Sequence, residues 1–353
     1  MKEQYLKYLF WLGLPLSPIY TGLMKLRNYG YDKGFFKSNE LNCPVISIGN
    51  VVMGGTGKTP HVIATASFLK KLGKKPAIIS RGYGGTHKDG TLIVHDGSNL
   101  LVSADIAGDE PVMMAETLGN VPVLVNKNRY KAGVKALKNF DVDIILLDDG
   151  FQHRALKRDI DIVLLNTKAP FGNGRVFPGG ELREDLSSIK RADMLILTKA
   201  NGLKDDEKNQ LKAMLLKRWP EKPVFFSENR FTSLLGLDNK KINITSLKNA
   251  KVYGFCGIAQ PETFFQALKQ MGANILGQKV FSDHHKYSVN DILNLLEQSR
   301  KLGCDFVVTT QKDGVKIRDM NLDLKDMEIF QLNMEAVVEP EFFSDLKQKL
   351  YLD

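Results

Sequence analysis

The chain has 353 residues, 43% of them hydrophobic and 25% charged, which is ordinary for a soluble globular protein with one large or two smaller cores. This excludes a disordered tail, a fibrous repeat and a polytopic membrane protein. Lysine and arginine outnumber aspartate and glutamate by 49 to 40, a net charge of +9, which favours nucleic acid, phosphorylated substrates or an anionic membrane surface as partner. The three cysteines, Cys43, Cys256 and Cys304, are far apart, so there is no disulfide framework or CxxC metal pattern, and a reducing compartment is expected.

Residues Tyr8 to Met24 are 17 positions without a charge. As a helix they would span roughly 26 Å, short of the roughly 30 Å bilayer core, and Pro15 and Pro18 interrupt them. Ser17-Pro18 reads as an N-cap followed by proline at the first helical position, so a helix restarts there. Residues 1–38 carry six cations against two acids, a net +4. Apolar residues flanked by cations, with Tyr5, Tyr8, Trp11 and Tyr20 among them, suit a membrane-interface segment. A cleaved signal peptide is disfavoured: Glu3 and Gln4 dilute its basic start, and no small-residue cleavage site follows. The competing reading is an amphipathic helix docked on the protein's own core.

From Pro44 onward, short apolar strands alternate with helical stretches. The strands are expected at Val45–Ile48, Ala77–Ser80, Val121–Val125, Ile144–Leu147, Ile160–Leu165, Met194–Thr198 and Val224–Ser227. Helices are expected at Pro60–Leu72, Pro111–Leu118, Arg129–Asn139 and Asp205–Trp219. Continuous apolar strands fit a parallel sheet buried on both faces, and the alternation predicts an α/β doubly wound domain. Residues 231–250 are polar and turn-rich, a junction before a second α/β set. The expected organisation is a membrane-associating segment at 1–38, a P-loop domain at 39–230, a linker at 231–250 and a smaller α/β domain at 251–353.

The strand at Val45 runs into Gly49-Asn-Val-Val-Met-Gly54-Gly55-Thr56-Gly57-Lys58-Thr59-Pro60. Gly-Lys-Thr between a strand and a helix is the strongest signal in the chain. Gly54, Gly55, Thr56 and Gly57 lead into a helix N-terminus whose N–H groups can surround phosphate oxygens. Lys58 adds charge toward the outer phosphates, and the Thr59 hydroxyl is suited to Mg²⁺. The longer GxxxxGK[ST] pattern would need glycine where Val52 stands, so the match is to a shorter GGTGKT form.

Asp143-Ile-Ile-Leu-Leu-Asp148-Asp149-Gly150 is an apolar strand ending in two acids, the form of a Mg²⁺-facing carboxylate segment. Asp109, in Gly108-Asp109-Glu110-Pro111, is either a helix N-cap or a general base for an acceptor hydroxyl; local sequence favours the cap. His284 and His285 lie together after a strand, with no zinc-ligand spacing around them. Arg81, Arg129, Arg175 and Arg183 are candidate phosphate or substrate clamps, with plain surface charge as the alternative.

Taken in order, SIGNVVMGGTGKTP (47–60), SRGYGG (80–85), GDEP (108–111), LLDDGFQH (146–153), RDIDIVLLN (158–166), GRVFPGGELRE (174–184), FSDHH (281–285) and TTQKDGVK (309–316) resemble the tetraacyldisaccharide 4′-kinases, the lipid A 4′-kinases of Gram-negative bacteria. The resemblance implies ATP- and Mg²⁺-dependent phosphorylation of the 4′-hydroxyl of a lipid-A disaccharide 1-phosphate. It also implies two α/β domains with a short β linker and an N-terminal helix at the cytoplasmic face of the inner membrane. The partner would be a glycolipid, with no nucleic acid and no obligate protein partner. On this chain the P-loop roles fall on Lys58 and Thr59, and the metal roles on Asp148 and Asp149 with Thr59. The catalytic acid of GDEP is Asp109 and its histidine partner is His284, which reverses the local preference for a cap. On the boundaries above, those two residues lie in different domains. Two features depart from the pattern: Gly314 stands where alanine is expected, and His285 adjoins His284. Ligases, metal-insertion NTPases and nucleotide-switched membrane-binding modules are the competing readings.

Overall fold

The structure is a computed structural model that describes residues 2–318, 320, 322, 324 and 327–351, with side chains from Tyr8 onward. Lys2, Glu3, Gln4, Tyr5 and Lys7, weighed above for charge and interface character, have side chains outside the described residues. Thirteen strands form among the described residues: β1 Val45–Asn50, β2 Pro76–Ser80, β3 Leu92–His95, β4 Val123–Val125, β5 Ile144–Asp148, β6 Ile160–Asn166, β7 Met194–Thr198, β8 Val224–Gly236, β9 Lys241–Asn243, β10 Lys251–Cys256, β11 Asn274–Val280, β12 Phe306–Thr310 and β13 Ile329–Val338.

The chain divides into two compact units. The first holds residues up to Arg81, Asn126–Asn229 and the chain from Ala336; the second holds Gly82–Val125 and Arg230–Glu335. Residues 82–125, grouped with the P-loop in the sequence reading, therefore belong with the later α/β set. β8 and β13 each begin in one unit and end in the other.

In the first unit six parallel strands follow the order β8-β7-β6-β1-β5-β2. β1, β2, β5 and β7 are buried along their whole length, and their mostly apolar, Ile/Leu/Val-rich sequences suit strands covered on both faces. Val163, Leu165, Leu195, Leu197 and Phe226 lead a core completed by Phe151, Leu182 and Trp219. β1 lies between β5 and β6, with Ile48 opposite Asp148. The loops leaving β1 and β5 thus open side by side at the carboxyl edge, where ligands gather in such sheets.

In the second unit β11-β10-β12-β13 run parallel. β9 pairs antiparallel with β8, and β3 with β4. β8 is longer than the Val224–Ser227 expected: after four buried residues its burial alternates before the strand ends at Gly236. Glu228 to Ser233 are polar except for Phe231, and Glu228 to Thr232 are not buried, which is why the chain from 231 read as the start of a junction. β3 escaped the sequence reading because it is four residues long with only two of them buried.

The N-terminal segment forms helices Lys2–Gly13 and Ser17–Asp32 with a short turn between. Ser17 is not the N-cap; Leu16 holds that position without a side-chain bond. The Ser17 hydroxyl instead donates to Val176 O (2.9 Å) and accepts from Gly179 N–H (2.8 Å). Tyr20 packs edge-on against Phe177, Arg27 donates to Gln152 O, and Asn28 donates to Glu184. The opposite face leaves Leu9, Trp11, Leu12, Ile19, Leu23 and Leu26 more than 60% exposed. One face is docked, as the second sequence reading expects, and the other is an uncovered apolar strip. No helix among the described residues is long and apolar enough to cross a membrane.

Candidate active site

The glycine-rich loop that follows β1 in the first unit is tied down by several hydrogen bonds. Buried Asn50 donates to Val52 O (2.6 Å) and to the Thr56 hydroxyl (2.9 Å), and Met53 N–H bonds Glu181 O (2.7 Å). Val52, standing where the longer pattern needs glycine, is a core residue that bridges Leu182. Gly57 caps the helix Lys58–Lys71 at φ +81°, a left-handed conformation that glycine adopts without strain. Thr59 is buried one residue into that helix.

Lys58 Nζ lies 3.8 Å from Asp149, which also takes two 2.8 Å bonds from Arg183. Burial alone would raise the Asp149 carboxyl, but Lys58 and Arg183 outweigh it and hold the group below the usual carboxylate range. Asp149 sits at φ +51°, a backbone state that non-glycine residues keep mainly where surroundings enforce it. Asp148, the last residue of β5, accepts from the Ser80 hydroxyl at 2.9 Å. Arg129 is buried behind the pair, with Nη atoms toward Asn126 O (3.2 Å) and Asp148 O (3.5 Å). Burial pulls its guanidinium down to about 10, against the two acids. Arg81 and Arg175 are exposed, so the four candidate arginines separate into two at the acids and two on the surface.

The second unit builds a different cluster. Gly108, at φ +97°, precedes the helix Asp109–Leu118, and a side chain there would strike the backbone of Tyr83. Asp109 is the first helical residue rather than its cap. One oxygen accepts from Glu110 N–H at 2.9 Å, and the other lies 3.0 Å from His284 Nδ1. Burial works against the Asp109 charge, yet the His284 bond, Lys312 and Lys316 together leave its pKa lowered. His284, at φ +56°, has its pKa raised, first by the Asp109 bond. Its Nε2 lies 3.2 Å from Lys312 Nζ, and Tyr83 meets its ring edge-on at 5.1 Å. His285 faces elsewhere: it stacks on Phe281 and reaches Asp291 at 3.4 Å. Asp109 and His284 lie 175 positions apart, and both belong to this one unit rather than to two.

A family model described as tetraacyldisaccharide-1-P 4′-kinase, LpxK, matches residues 9–351. The chain belongs to this family. It is 40% identical over 316 residues to the tetraacyldisaccharide 4′-kinase of Desulfotalea psychrophila, covering 90% of each chain. It is 36% identical over 347 residues to that of Desulfatibacillum aliphaticivorans, covering 96% of this chain and 92% of the other. Among solved structures it is similar to LpxK from Aquifex aeolicus, an "apo" form in complex with ATP, at 35% identity and a TM-score of 0.77, covering 96% of this chain and 97% of that one. The chain is therefore a kinase of lipid A biosynthesis, and the ligase, metal-insertion and switch readings are set aside.

In this LpxK-family kinase several site neighbours escaped the sequence reading. Lys312 reaches Glu110 and Asp283 (3.6 Å each) besides His284, and Lys316 pairs with buried Asp313 at 2.8 Å while lying 3.9 Å from Asp109. Their signal was present as two lysines four apart in Gln311-Lys312-Asp313-Gly314-Val315-Lys316, one face of the helix Gln311–Ile317. Gly314 itself is explained by packing: a side chain there would collide with Gln331, whose amide oxygen accepts from Arg318.

Proposed function

We propose that this kinase transfers the γ-phosphoryl group of ATP to the 4′-hydroxyl of a tetraacyldisaccharide 1-phosphate at the cytoplasmic face of the bacterial inner membrane. The Asp109–His284 pair is the observation that carries the chemistry, because a sugar hydroxyl is a poor nucleophile without a positioned base. Asp109 is buried, both of its oxygens are engaged and its pKa is lowered, so it is a weak base. His284 is partly exposed, and its raised pKa makes it the stronger one. The division of labour is thus that Asp109 holds Nδ1–H and His284 Nε2 receives the hydroxyl proton. The freed oxygen forms its bond to the γ-phosphorus as the bond to the β–γ bridging oxygen breaks. ADP leaves with that electron pair.

The N–H groups of Gly55 to Thr59 and the Lys58 ammonium are the phosphate-binding groups. Thr59 and Asp148 offer hard oxygen donors at adjacent element ends, a donor chemistry that fits Mg²⁺. Asp149, already held by Lys58 and Arg183, would act behind them. Mg²⁺ supplies neutralisation of charge on the phosphate oxygens. Arg183 and Arg129 position the acids, and Arg81 and Arg175 remain the exposed candidates for the substrate phosphate. The uncovered apolar strip of the N-terminal helices, with exposed Lys25, Lys33 and Lys37 near it, supports seating on an anionic leaflet. The test is incubation with ATP, Mg²⁺ and a disaccharide 1-phosphate lipid in detergent, followed by mass analysis of the lipid. A lipid gaining one phosphate at the 4′ position is expected. ATP consumption with an unmodified lipid would overturn the reading.

A further inference from the structure

The helix that opens with Lys58 and Thr59 carries a histidine that phosphate chemistry does not require. His61 is 2% exposed, with Nδ1 2.7 Å from Gly57 O and Nε2 2.7 Å from the hydroxyl of Ser227 in β8, itself 2% exposed. The Gly57 carbonyl only accepts, so Nδ1 carries the proton. Burial drives the imidazole down to about 4, which keeps it neutral, so Nε2 accepts from the Ser227 O–H. One tautomer satisfies the whole chain Ser227 O–H to His61 to Gly57 C=O.

That carbonyl belongs to the peptide joining Gly57 to Lys58. In a trans peptide the C=O and N–H point in opposite directions. A carbonyl held on the His61 side therefore turns the Lys58 N–H the other way. Gly57 is also the residue freest to rotate, with its left-handed φ of +81°. Without a restraint this peptide could turn over and present a carbonyl oxygen where an anion needs a donor. The same carbonyl also accepts a longer 3.4 Å contact from the His61 backbone N–H.

We propose that His61, braced by Ser227, is a positioning residue that locks the Gly57–Lys58 peptide with its N–H turned toward the bound phosphates. The proposal rests on the nucleotide-binding reading of this loop. It predicts that side-chain reach at position 61 decides ATP affinity. In His61→Asn the amide nitrogen, attached to Cγ like Nδ1, can still donate to Gly57 O. In His61→Gln the amide lies one bond farther out, where Nε2 was, and meets Ser227 instead.

The experiment measures Mg-ATP dissociation constants by calorimetric titration of the full chain in detergent, with melting temperature as the fold control. His61→Ala is expected to weaken ATP binding about 5- to 50-fold, the range for losing one buried hydrogen bond. His61→Gln should fall in the same range, while His61→Asn stays within about threefold of wild type. Nitrogen-15 spectra of the wild-type imidazole should show a neutral ring protonated at Nδ1. If His61→Ala does not fold, the asparagine–glutamine comparison still decides. Equal ATP affinity in those two variants, or a ring protonated at Nε2, would overturn the proposal. A wild-type protein that failed to bind ATP would overturn the nucleotide reading instead.

Discussion

Replacing Asp109 by asparagine removes one charge and little volume. The amide oxygen can still accept from His284 Nδ1, so the ring keeps an anchor at the place where the carboxylate lies 3.0 Å away. What changes is the field: Lys312 at 3.2 Å from Nε2 and Lys316 beside position 109 no longer face an anion there. Both effects push the His284 pKa down, away from the raised position it holds in the wild type. Because the base works as neutral imidazole, the acid limb of the rate profile should move to lower pH in Asp109→Asn. Its plateau should drop, since the weaker base also loses the anion that stabilises its protonated form. General-base catalysis contributes about 10²- to 10⁴-fold, or roughly 2.7–5.4 kcal/mol. His284→Ala should lose that amount and Asp109→Ala nearly as much. Independent residues would multiply to about 10⁴- to 10⁸-fold in the double variant, whereas one unit leaves it close to the poorer single. The assay is initial-rate phosphate transfer to the lipid from about pH 5 to pH 9, spanning the histidine range. Multiplying losses, or an acid limb that moves upward in Asp109→Asn, would refute the pairing. So would a variant that loses thermal stability but keeps its kcat.

The same pair predicts a stability window. His284, raised from 6.5, adds stability below that value and loses it as pH rises through its folded value; Asp109, lowered from 3.8, adds stability above that value and loses it as pH falls. The melting-temperature gap between wild type and Asp109→Asn should therefore be widest between pH 3.8 and 6.5 and narrow above it. Lys58→Ala should lower turnover about 10²-fold or more, as removal of one electrostatic donor does; near-full turnover in a folded variant would sink the phosphate-loop assignment. Asp148→Ala should raise the Mg²⁺ midpoint of activity, and Asp149→Ala should raise it less, because Lys58 and Arg183 already occupy Asp149; unchanged midpoints in both would remove the metal assignment. Trp11→Glu with Leu12→Glu, two exposed positions, should reduce flotation with anionic liposomes while leaving the docked face intact. Equal flotation would place membrane contact elsewhere.

The first unit was legible because its signals are local. Val45–Ile48, apolar but for Ser47, and the unbroken apolar Ile144–Leu147 are extended by only one or two residues in the structure, to Asn50 and Asp148. Arg129–Asn139 and Met194–Thr198 match at both ends, since an asparagine cap bonding Lys131 N–H starts the former. The second unit was misread because its parts are joined by contacts far apart in sequence. Nothing in the composition of residues 82–125 says that they pack with residues 230–335. A sequence reading that favours a cap at Asp109 sees the helix start but not a histidine 175 positions on. Lys312 and Lys316 stand four apart in sequence, but only the packing that brings Asp109 within 4.0 and 3.9 Å of them makes them site residues. His61 looked like any residue of the first helical turns, because only the return of β8 supplies Ser227.

The second unit is not a stretch of the chain that a single cut can release. It consists of two insertions, Gly82–Val125 and Arg230–Glu335, and the acid of the Asp109–His284 pair lies in the earlier one. A fragment beginning at residue 231 or 251, the natural choice for expressing a C-terminal domain, would carry His284 without Asp109. A chimera that exchanged C-terminal halves between two relatives would combine one parent's aspartate with the other parent's histidine and lysines. Recombination within this lineage therefore has four chain crossings to respect at once, near Gly82, near Val125, within β8 and within β13. Libraries that exchange only one of the two insertions will sample mismatched pairs.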